Sequence, residues 1–171
     1  MILMDLIEPA RREFDDLAKH LGAELMRYAY ETSRNLEDAK DIVQRALLKA
    51  WVVFREGARP QNARAWLYRI VHNEAANHAR GGRVRREAGA LRRSEARAET
   101  PDHRLAAELG EVLEAIRELP ASFRDAVILH FMQNLSIAET AEVLDVPLGT
   151  AKSQIARGLE HLRTRLGEEK S

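Results

Sequence analysis

The chain has 171 residues, enough for one mid-sized or two small domains, with 27 basic side chains, 27 acidic side chains and no cysteine. The lack of cysteine excludes disulfides, thiolate metal sites and a cysteine nucleophile. Only 9 glycines and 5 prolines, with no run of alternating β-branched residues, predict an all-α fold. No apolar run is long enough for a transmembrane helix or a signal peptide, so we expect a cytoplasmic protein without direct membrane insertion.

The zero net charge hides a division along the chain. Residues 55–97 contain 11 arginines and 4 acidic residues, whereas residues 98–147 contain 3 arginines and 10 acidic residues. An arginine-rich block is typical of contact with a polyanion. The acidic stretch fits either a shield over a nucleic-acid-binding surface or a contact with a basic partner, and charge alone leaves both open.

Apolar periodicity predicts three helices in the first half of the chain. The first spans about Pro9 to Tyr30. Asn35 is the predicted N-cap of the second helix. Asn62 is the predicted N-cap of the third, which continues to about Arg80 and ends at the Gly81-Gly82 pair.

The second predicted helix has one wide apolar face and one polar face. Its apolar positions are Ala39, Ile42, Val43, Ala46, Leu47, Ala50, Trp51 and Phe54. Its polar face carries Asp38, Asp41, Gln44, Arg45 and Lys49. Such a face fits either simple solvation or the binding of a protein partner, and the helix pattern does not choose between them.

The third predicted helix combines cations, amides and an aromatic ring on its polar face. The residues predicted to point outward are Arg64, Tyr68, Arg69, His72, Asn73, Asn77 and Arg80. Trp66 falls in the apolar stripe and is predicted to be a core residue. Arginines bind phosphates, amides reach base edges and an exposed tyrosine stacks on bases, so this face predicts binding to single-stranded or opening DNA.

The segment from Gly81 to Pro101 has the composition of a basic flexible linker. Thr100-Pro101-Asp102 is a helix start signal, and Leu119-Pro120 separates a fourth helix from a fifth. The apolar stripe of the fourth helix is Leu105, Leu109, Val112, Leu113 and Ile116, and that of the fifth is Phe123, Val127, Ile128 and Phe131.

The stretch from Leu135 to Leu166 has the pattern of a helix-turn-helix. Ser136 and Glu139 form a capping box that opens a short helix, and Asp145-Val146-Pro147 ends it. The apolar side of the short helix is Ile137, Ala138, Ala141 and Leu144, and that of the following longer helix is Leu148, Ala151, Ile155, Leu159, Leu162 and Leu166. The alternative is an ordinary helical hairpin with a solvated polar face.

The sequence contains no recognisable catalytic constellation. The six histidines are scattered, and there is no phosphate-cradling glycine loop and no nucleophile elbow. We therefore expect no enzymatic activity, no metal, no cofactor and no small-molecule substrate.

Four motifs occur in a characteristic order. They are A-K-D-I-V-Q at 39–44 with A-W at 50–51, A-W-L-Y-R-I-V-H-N at 65–73, L-P-x-x-x-R at 119–124 and P-L-G-T-A-K-S at 147–153. With the basic linker between the second and third motifs, the chain resembles the extracytoplasmic-function sigma factors of the sigma-70 family over nearly its whole length. The resemblance implies sigma domain 2 at 1–82, a linker at 83–102 and sigma domain 4 with its helix-turn-helix at 103–171.

The resemblance also implies a function and its sites. Such proteins direct bacterial core RNA polymerase to promoters, with the β′ clamp helices binding the face that here carries Asp38, Asp41, Gln44 and Arg45. The loop from Gly57 and the third helix to Arg80 would read and help melt the minus-ten element, through the seven outward residues named above. The second domain would meet the β flap and read the minus-thirty-five element, with Thr150, Lys152, Ser153, Gln154 and Arg157 as the reading residues. Members of the family are commonly held inactive by an anti-sigma factor, which the resemblance implies here too.

The chain departs from the family pattern at several positions. Lys40 and Arg45 stand where acidic residues are common, and Gln154 stands where arginine is frequent. Gly158 and Glu160 replace the usual alanine and basic residue. Glycine weakens a helix by roughly 1 kcal/mol relative to alanine, and glutamine favours adenine where arginine favours guanine.

Two other classes remain as hypotheses at this point. One is a conventional helix-turn-helix regulator that binds duplex DNA as a dimer, which has no use for the third helix's single-strand chemistry. The other is a helical adaptor or anti-sigma mimic without DNA contact, against which the arginine block argues.

Overall fold

The computed structural model describes the backbone of residues 2–87 and 103–168 and the side chains of residues 8–82 and 110–167. The chain divides into two compact units, residues 1–96 and 97–171. Every regular element among the described residues is a helix, which confirms the all-α prediction.

Three helices that pack pairwise build the first unit: α1 (Ile2–Ser33), α2 (Leu36–Arg55) and α3 (Ala63–Glu87). The first helix extends beyond the predicted Pro9 to Tyr30 at both ends, with Pro9 inside it. The core between the helices includes Phe14, Leu25, Tyr28, Ile42, Phe54, Leu67, Tyr68 and Val71.

Both predicted N-caps of this unit are confirmed. The side-chain oxygen of Asn35 accepts hydrogen bonds from the backbone N–H groups of Glu37 and Asp38, at 2.9 and 3.1 Å. The side-chain oxygen of Asn62 accepts one from the N–H of Ala65, at 3.0 Å. Each bond satisfies a donor that the helix itself leaves without an acceptor.

The prediction that Gly81-Gly82 ends the third helix is wrong, because α3 continues through both glycines to Glu87. Glycine inside a helix costs only about 1 kcal/mol relative to alanine, which does not by itself end one. The remainder of the predicted basic linker, 88–102, lies outside the described residues. The domain limits 1–82, 83–102 and 103–171 stay predictions.

The second unit contains α4 (His103–Glu118), α5 (Ala121–Val127), a π-helical segment (Ile128–Met132), α6 (Ile137–Leu144) and α7 (Leu148–Glu168). The last helix packs against α4, α5 and α6. Three large apolar side chains that were predicted to be in the core are exposed instead, namely Val112, Phe131 and Leu148, and so is the small Ala138. Leu148 is the first residue of α7, where the helix has not yet reached the core.

The turn between α6 and α7 has the predicted start and end signals. Ser136 and Glu139 form the reciprocal capping box, and Asp145 ends α6 in the left-handed conformation at φ 56°, ψ 46°. The buried side of α6 is Thr140, Ala141 and Val143 rather than Ala138.

Gly158 of α7 lies directly against α5. A Cβ atom at this position would lie 2.6 Å from Cγ2 of Val127 and 3.4 Å from the carbonyl oxygen of Phe123. The absence of a side chain therefore permits this packing, which gives the departure from alanine a physical reason.

Candidate functional site

The four predicted polymerase-binding residues share one face of α2. At about 100° of rotation per residue, Asp38, Asp41, Gln44 and Arg45 occupy one third of the helix circumference. Asp38 is half-buried and the other three are exposed. Leu48 and Val52, which the sequence pattern did not single out, continue this face and are 60% and 41% exposed. These six residues form what we call the α2 stripe.

Polar contacts hold two carboxylates of the α2 stripe in place. Asp41 and Arg45 pair at 3.3 Å, and Asp38 lies 3.3 Å from Nε2 of His78 on α3. The exposed Asp41–Arg45 pair contributes roughly 1 kcal/mol or less, so these two charges are available to a binding partner. Lys49 differs, because it pairs with the buried carboxylate of Glu74 and thereby joins α2 to α3.

Three of the residues predicted to face outward on α3 instead contact α1. Tyr68 is fully buried, and its ring lies 5.5 Å from that of Tyr28. Arg64 is half-buried and donates from Nε and Nη2 to Glu24, at 3.1 and 2.9 Å. Half-buried His72 shares a 2.9 Å hydrogen bond with the hydroxyl of Tyr28. The prediction of Tyr68 as an exposed stacking platform is therefore wrong, and the reason is that α3 packs against both α1 and α2.

Burial changes the acidity of Tyr68. Desolvation, and next the nearby Glu24 carboxylate, raise the pKa of its hydroxyl from 10.0 to about 12, against the lowering influence of Arg64 and Arg27. The hydroxyl also donates a long hydrogen bond of 3.4 Å to Glu24. This group is consequently a neutral structural donor at physiological pH.

The other four predicted α3 residues do lie together on its outer side. Arg69, Asn73 and Asn77 follow at intervals of four, and Arg80 falls within the same 80° of arc by helix geometry. Asn73, Asn77 and Arg80 are exposed and Arg69 is half-buried. These residues, the α3 stripe, combine phosphate donors with amides that can bond base edges.

A loop runs from Glu56 to Asn62, between α2 and α3. The sequence predicted a loop here but not its conformation. Gly57 adopts φ 104°, a left-handed conformation that favours glycine. Arg59 donates to the carbonyl oxygens of Phe54 and Ala58, at 2.8 and 2.9 Å, and pairs with Glu13 of α1 at 3.1 Å. The arginine therefore joins the loop to two helices of the first unit.

The predicted reading residues on α7 separate into a group of four and a flanking cation. An open, shallow groove is lined by Phe123, Gly149, Thr150, Ser153, Gln154 and Arg157. Lys152 is exposed, but it lies about 100° around the helix axis from Ser153, away from this groove. The groove residues and the exposed lysine therefore occupy different sides of α7.

Gln154 is the one member of this group that is half-buried. Its Oε1 atom is buried without a hydrogen-bond partner. A buried acceptor without a donor costs roughly 1–3 kcal/mol. The amide of Gln154 therefore has an acceptor that no contact among the described residues uses.

Within the described part of the chain, no helix is both long enough and apolar enough to cross a membrane. The same residues contain no group of three or more histidine and carboxylate side chains arranged to hold a metal ion.

Comparison with known proteins identifies both units. The family model for sigma-70 region 2 matches residues 17–87, and that for sigma-70 region 4 matches residues 109–162. The chain is 34% identical over 174 residues to the ECF RNA polymerase sigma factor SigE of Mycolicibacterium smegmatis, covering 96% of this chain and 65% of the relative. It is 35% identical over 166 residues to SigM of Mycobacterium tuberculosis, covering 92% of this chain and 79% of the relative.

A solved structure has the same architecture. The sigma factor RpoE from Bartonella quintana, crystallised with the anti-sigma factor NepR, is 28% identical with a TM-score of 0.68, over 89% of this chain and 97% of RpoE. The helix-turn-helix of the second unit, α6 with α7, lies largely within the match to sigma-70 region 4, which places the chain in the class of sigma-70 factors. The chain belongs to the extracytoplasmic-function sigma factors of the sigma-70 family. That membership decides against both the dimeric regulator and the adaptor.

Proposed function

We propose that this protein binds bacterial core RNA polymerase and directs it to promoters that carry a minus-ten and a minus-thirty-five element. The observation that carries the proposal is the presence, in one chain, of a region 2 unit and a region 4 unit. Each unit has its own exposed polar surface on a separately packed core.

Core polymerase binds the α2 stripe through its β′ clamp helices. Support comes from the composition of the stripe, which sets an exposed acid, amide and cation beside the apolar Leu48 and Val52. Apolar groups supply affinity when they are buried, and charged groups around them supply orientation and specificity. The β flap meets the second unit.

The minus-ten element binds to the first unit, at the 56–62 loop and the α3 stripe. Exposed amides and arginines on one side of a helix suit an opened strand, whose bases present edges that a duplex hides. Arg64, Tyr68 and His72 take no direct part in this surface, because their side chains face α1.

The minus-thirty-five element binds to α7, the second helix of the helix-turn-helix. Thr150, Ser153, Gln154 and Arg157 enter the major groove, and Lys152 contacts the backbone beside it. The groove that the four residues line is consistent with this division.

Control by an anti-sigma factor completes the proposal. It is supported by RpoE, a relative in structure that was crystallised with one. The protein acts in the cytoplasm, where the polymerase and the chromosome are, and it has no catalytic activity of its own. The relatives are transcription initiation factors rather than enzymes.

The first test is binding to purified core polymerase. Asp41→Lys combined with Gln44→Ala should abolish association, because both side chains are exposed on the α2 stripe. Leu48→Asp should weaken it as well, since Leu48 is 60% exposed on the same face. Affinity is measured by fluorescence anisotropy of the labelled protein, and folding by helicity and melting temperature.

Asp16→Lys is the matched control, because it reverses an exposed carboxylate on α1 instead of α2. It should bind core polymerase like the wild type. Unchanged binding of all the α2 variants in folded proteins would overturn the assignment of the stripe.

A further inference from the structure

We propose that Arg59 is a positioning residue that holds the 56–62 loop in a preformed shape for the opened minus-ten strand. The inference rests on the proposed function and deepens it. Charge alone would assign Arg59 to phosphate contact, as one of the eleven arginines of residues 55–97. The contacts of Arg59 are instead with other groups of this protein.

The contacts of Arg59 close the loop onto the end of α2. Its Nη1 donates to the carbonyl oxygens of Phe54 and Ala58, at 2.8 and 2.9 Å. The guanidinium lies 4.0 Å from the centroid of the Phe54 ring. Phe54 is buried in the core of the first unit, so one end of this clamp is fixed.

One further contact ties the same side chain to α1. Arg59 Nε donates to Glu13 at 3.1 Å. Two of its three nitrogens are thus committed to protein acceptors. Gly57, at φ 104°, supplies the sharp bend that lets the loop return over Phe54.

A preformed loop binds a strand more tightly than a mobile one. Fixing a residue's backbone costs roughly 1–2 kcal/mol, and a loop that is already ordered does not lose this free energy again on binding. An ordered loop also presents one shape, so it distinguishes bases better than a loop that adapts. Arg59 therefore governs affinity and base preference without touching DNA.

The experiment measures binding of the polymerase holoenzyme to a single-stranded oligonucleotide with the non-template minus-ten sequence. A set of oligonucleotides with each position replaced in turn gives the base preference. Arg59→Ala should weaken binding about tenfold, which corresponds to the loss of one charge-assisted contact set. It should also flatten the base preference, while binding to core polymerase stays unchanged.

Salt dependence separates positioning from phosphate contact. Loss of one phosphate contact on a single strand lowers the slope of log K against log salt by about 0.7. Arg59→Ala should leave the slope unchanged. Arg59→Lys keeps the charge but lacks the planar fork, so it should stay within about threefold of Arg59→Ala. A reduced slope with full rescue by lysine would show a phosphate contact and overturn the inference.

Two further variants complete the test. Arg55→Ala removes an exposed arginine from the end of α2 without altering a loop contact, so base preference should stay as in the wild type. Glu13→Gln removes only the ion pair to α1; it should weaken binding about threefold and add nothing to Arg59→Ala. If Arg59→Ala does not fold, oligonucleotide binding and base preference are measured with Glu13→Gln instead.

The outcomes distinguish this inference from the proposed function. A wild-type holoenzyme that binds the single strand no better than the duplex would overturn the minus-ten assignment and this inference with it. A wild type that prefers the single strand, with Arg59→Ala unchanged in affinity and base preference, would overturn only the role of Arg59.

Discussion

Gly158 lets α7 lie against α5 closer than any larger residue would permit. The sequence suggests a weak point, because glycine lowers helix stability by roughly 1 kcal/mol relative to alanine. In the structure, glycine is the stabilising choice at this position, since an added Cβ would lie 2.6 Å from the stiff, buried side chain of Val127. Packing, and not helix propensity, decides which residue fits here.

Gly158→Ala should therefore destabilise the second unit by about 1 kcal/mol, because overpacking at 1–3 kcal/mol exceeds the gain in propensity. Chemical denaturation measures the change. Gly110→Ala in α4 is the control; nothing lies within 4 Å of its added Cβ, so it should stabilise. Gly158→Ala should lower the free energy of unfolding less in a Val127→Ala background than in the wild type. Stabilisation of the otherwise unchanged protein by Gly158→Ala would contradict the close contact.

Tyr68 makes stability sensitive to alkaline pH. Its folded-state pKa, raised to about 12, exceeds the value of 10.0 that applies when the chain is unfolded. The unfolded state thus loses its proton first, and the stability from neutral Tyr68 is complete below pH 10 and lost as pH rises towards 12.

Replacement by phenylalanine should remove this contribution. As the pH rises from 10 to 12, the free energy of unfolding of the wild type should fall by roughly 2–3 kcal/mol more than that of Tyr68→Phe. Two pKa units correspond to that amount. Denaturation at a series of pH values measures the loss, and tyrosinate absorbance identifies the group. Equal pH dependence in both proteins would show that Tyr68 does not control it.

At the scale of elements, the proposed binding surface of each helix covers only part of its polar circumference. On α7, Gln154 lies in the groove that Thr150, Ser153 and Arg157 also line, while Lys152 lies on the flank. A base contact and a phosphate contact have different consequences, because only the first carries sequence information.

Replacing these two residues should separate specificity from affinity. Gln154→Arg should shift the preference at one base pair of the minus-thirty-five element towards guanine, by roughly 1–3 kcal/mol. Lys152→Ala should weaken all promoters alike and lower the salt slope by about one. Transcription from a library randomised across the element measures both. An unchanged preference in the Gln154→Arg protein would remove α7 from the reading surface.

At the scale of the whole molecule, the chain has two units with separate cores, and the proposed function gives each unit its own recognition task. Substitutions at sites that share no partners usually have additive effects, within roughly 0.3–0.5 kcal/mol. Neighbours on one helix face do not, because each contributes to the placement of the other's contacts.

Arg69→Ala and Lys152→Ala, one in each unit, should therefore reduce the promoter-binding free energy of the holoenzyme additively. Arg69→Ala and Asn73→Ala, both on the α3 stripe, should depart from additivity. A double-mutant cycle on promoter affinity measures each pair. A large coupling between Arg69 and Lys152 would show that the two recognition tasks are not independent.

The sequence by itself determined the features that depend on a few neighbouring residues. Asn35, Asn62 and the Ser136–Glu139 capping box each act within three residues of the helix start, so their chemistry is visible in the chain. Helix periodicity likewise predicted the α2 face, because α2 keeps one broad side in solvent.

Tertiary structure alone decided the rest, because burial depends on how many neighbours a helix has. The third helix packs against two others, so the side chains of Tyr68, Arg64 and His72 contact α1, although periodicity placed them outside. Arg59 reaches Glu13, 46 residues away, and no local pattern encodes that distance. The presence of glycine at position 158 is explained only by the packing of α5 against it.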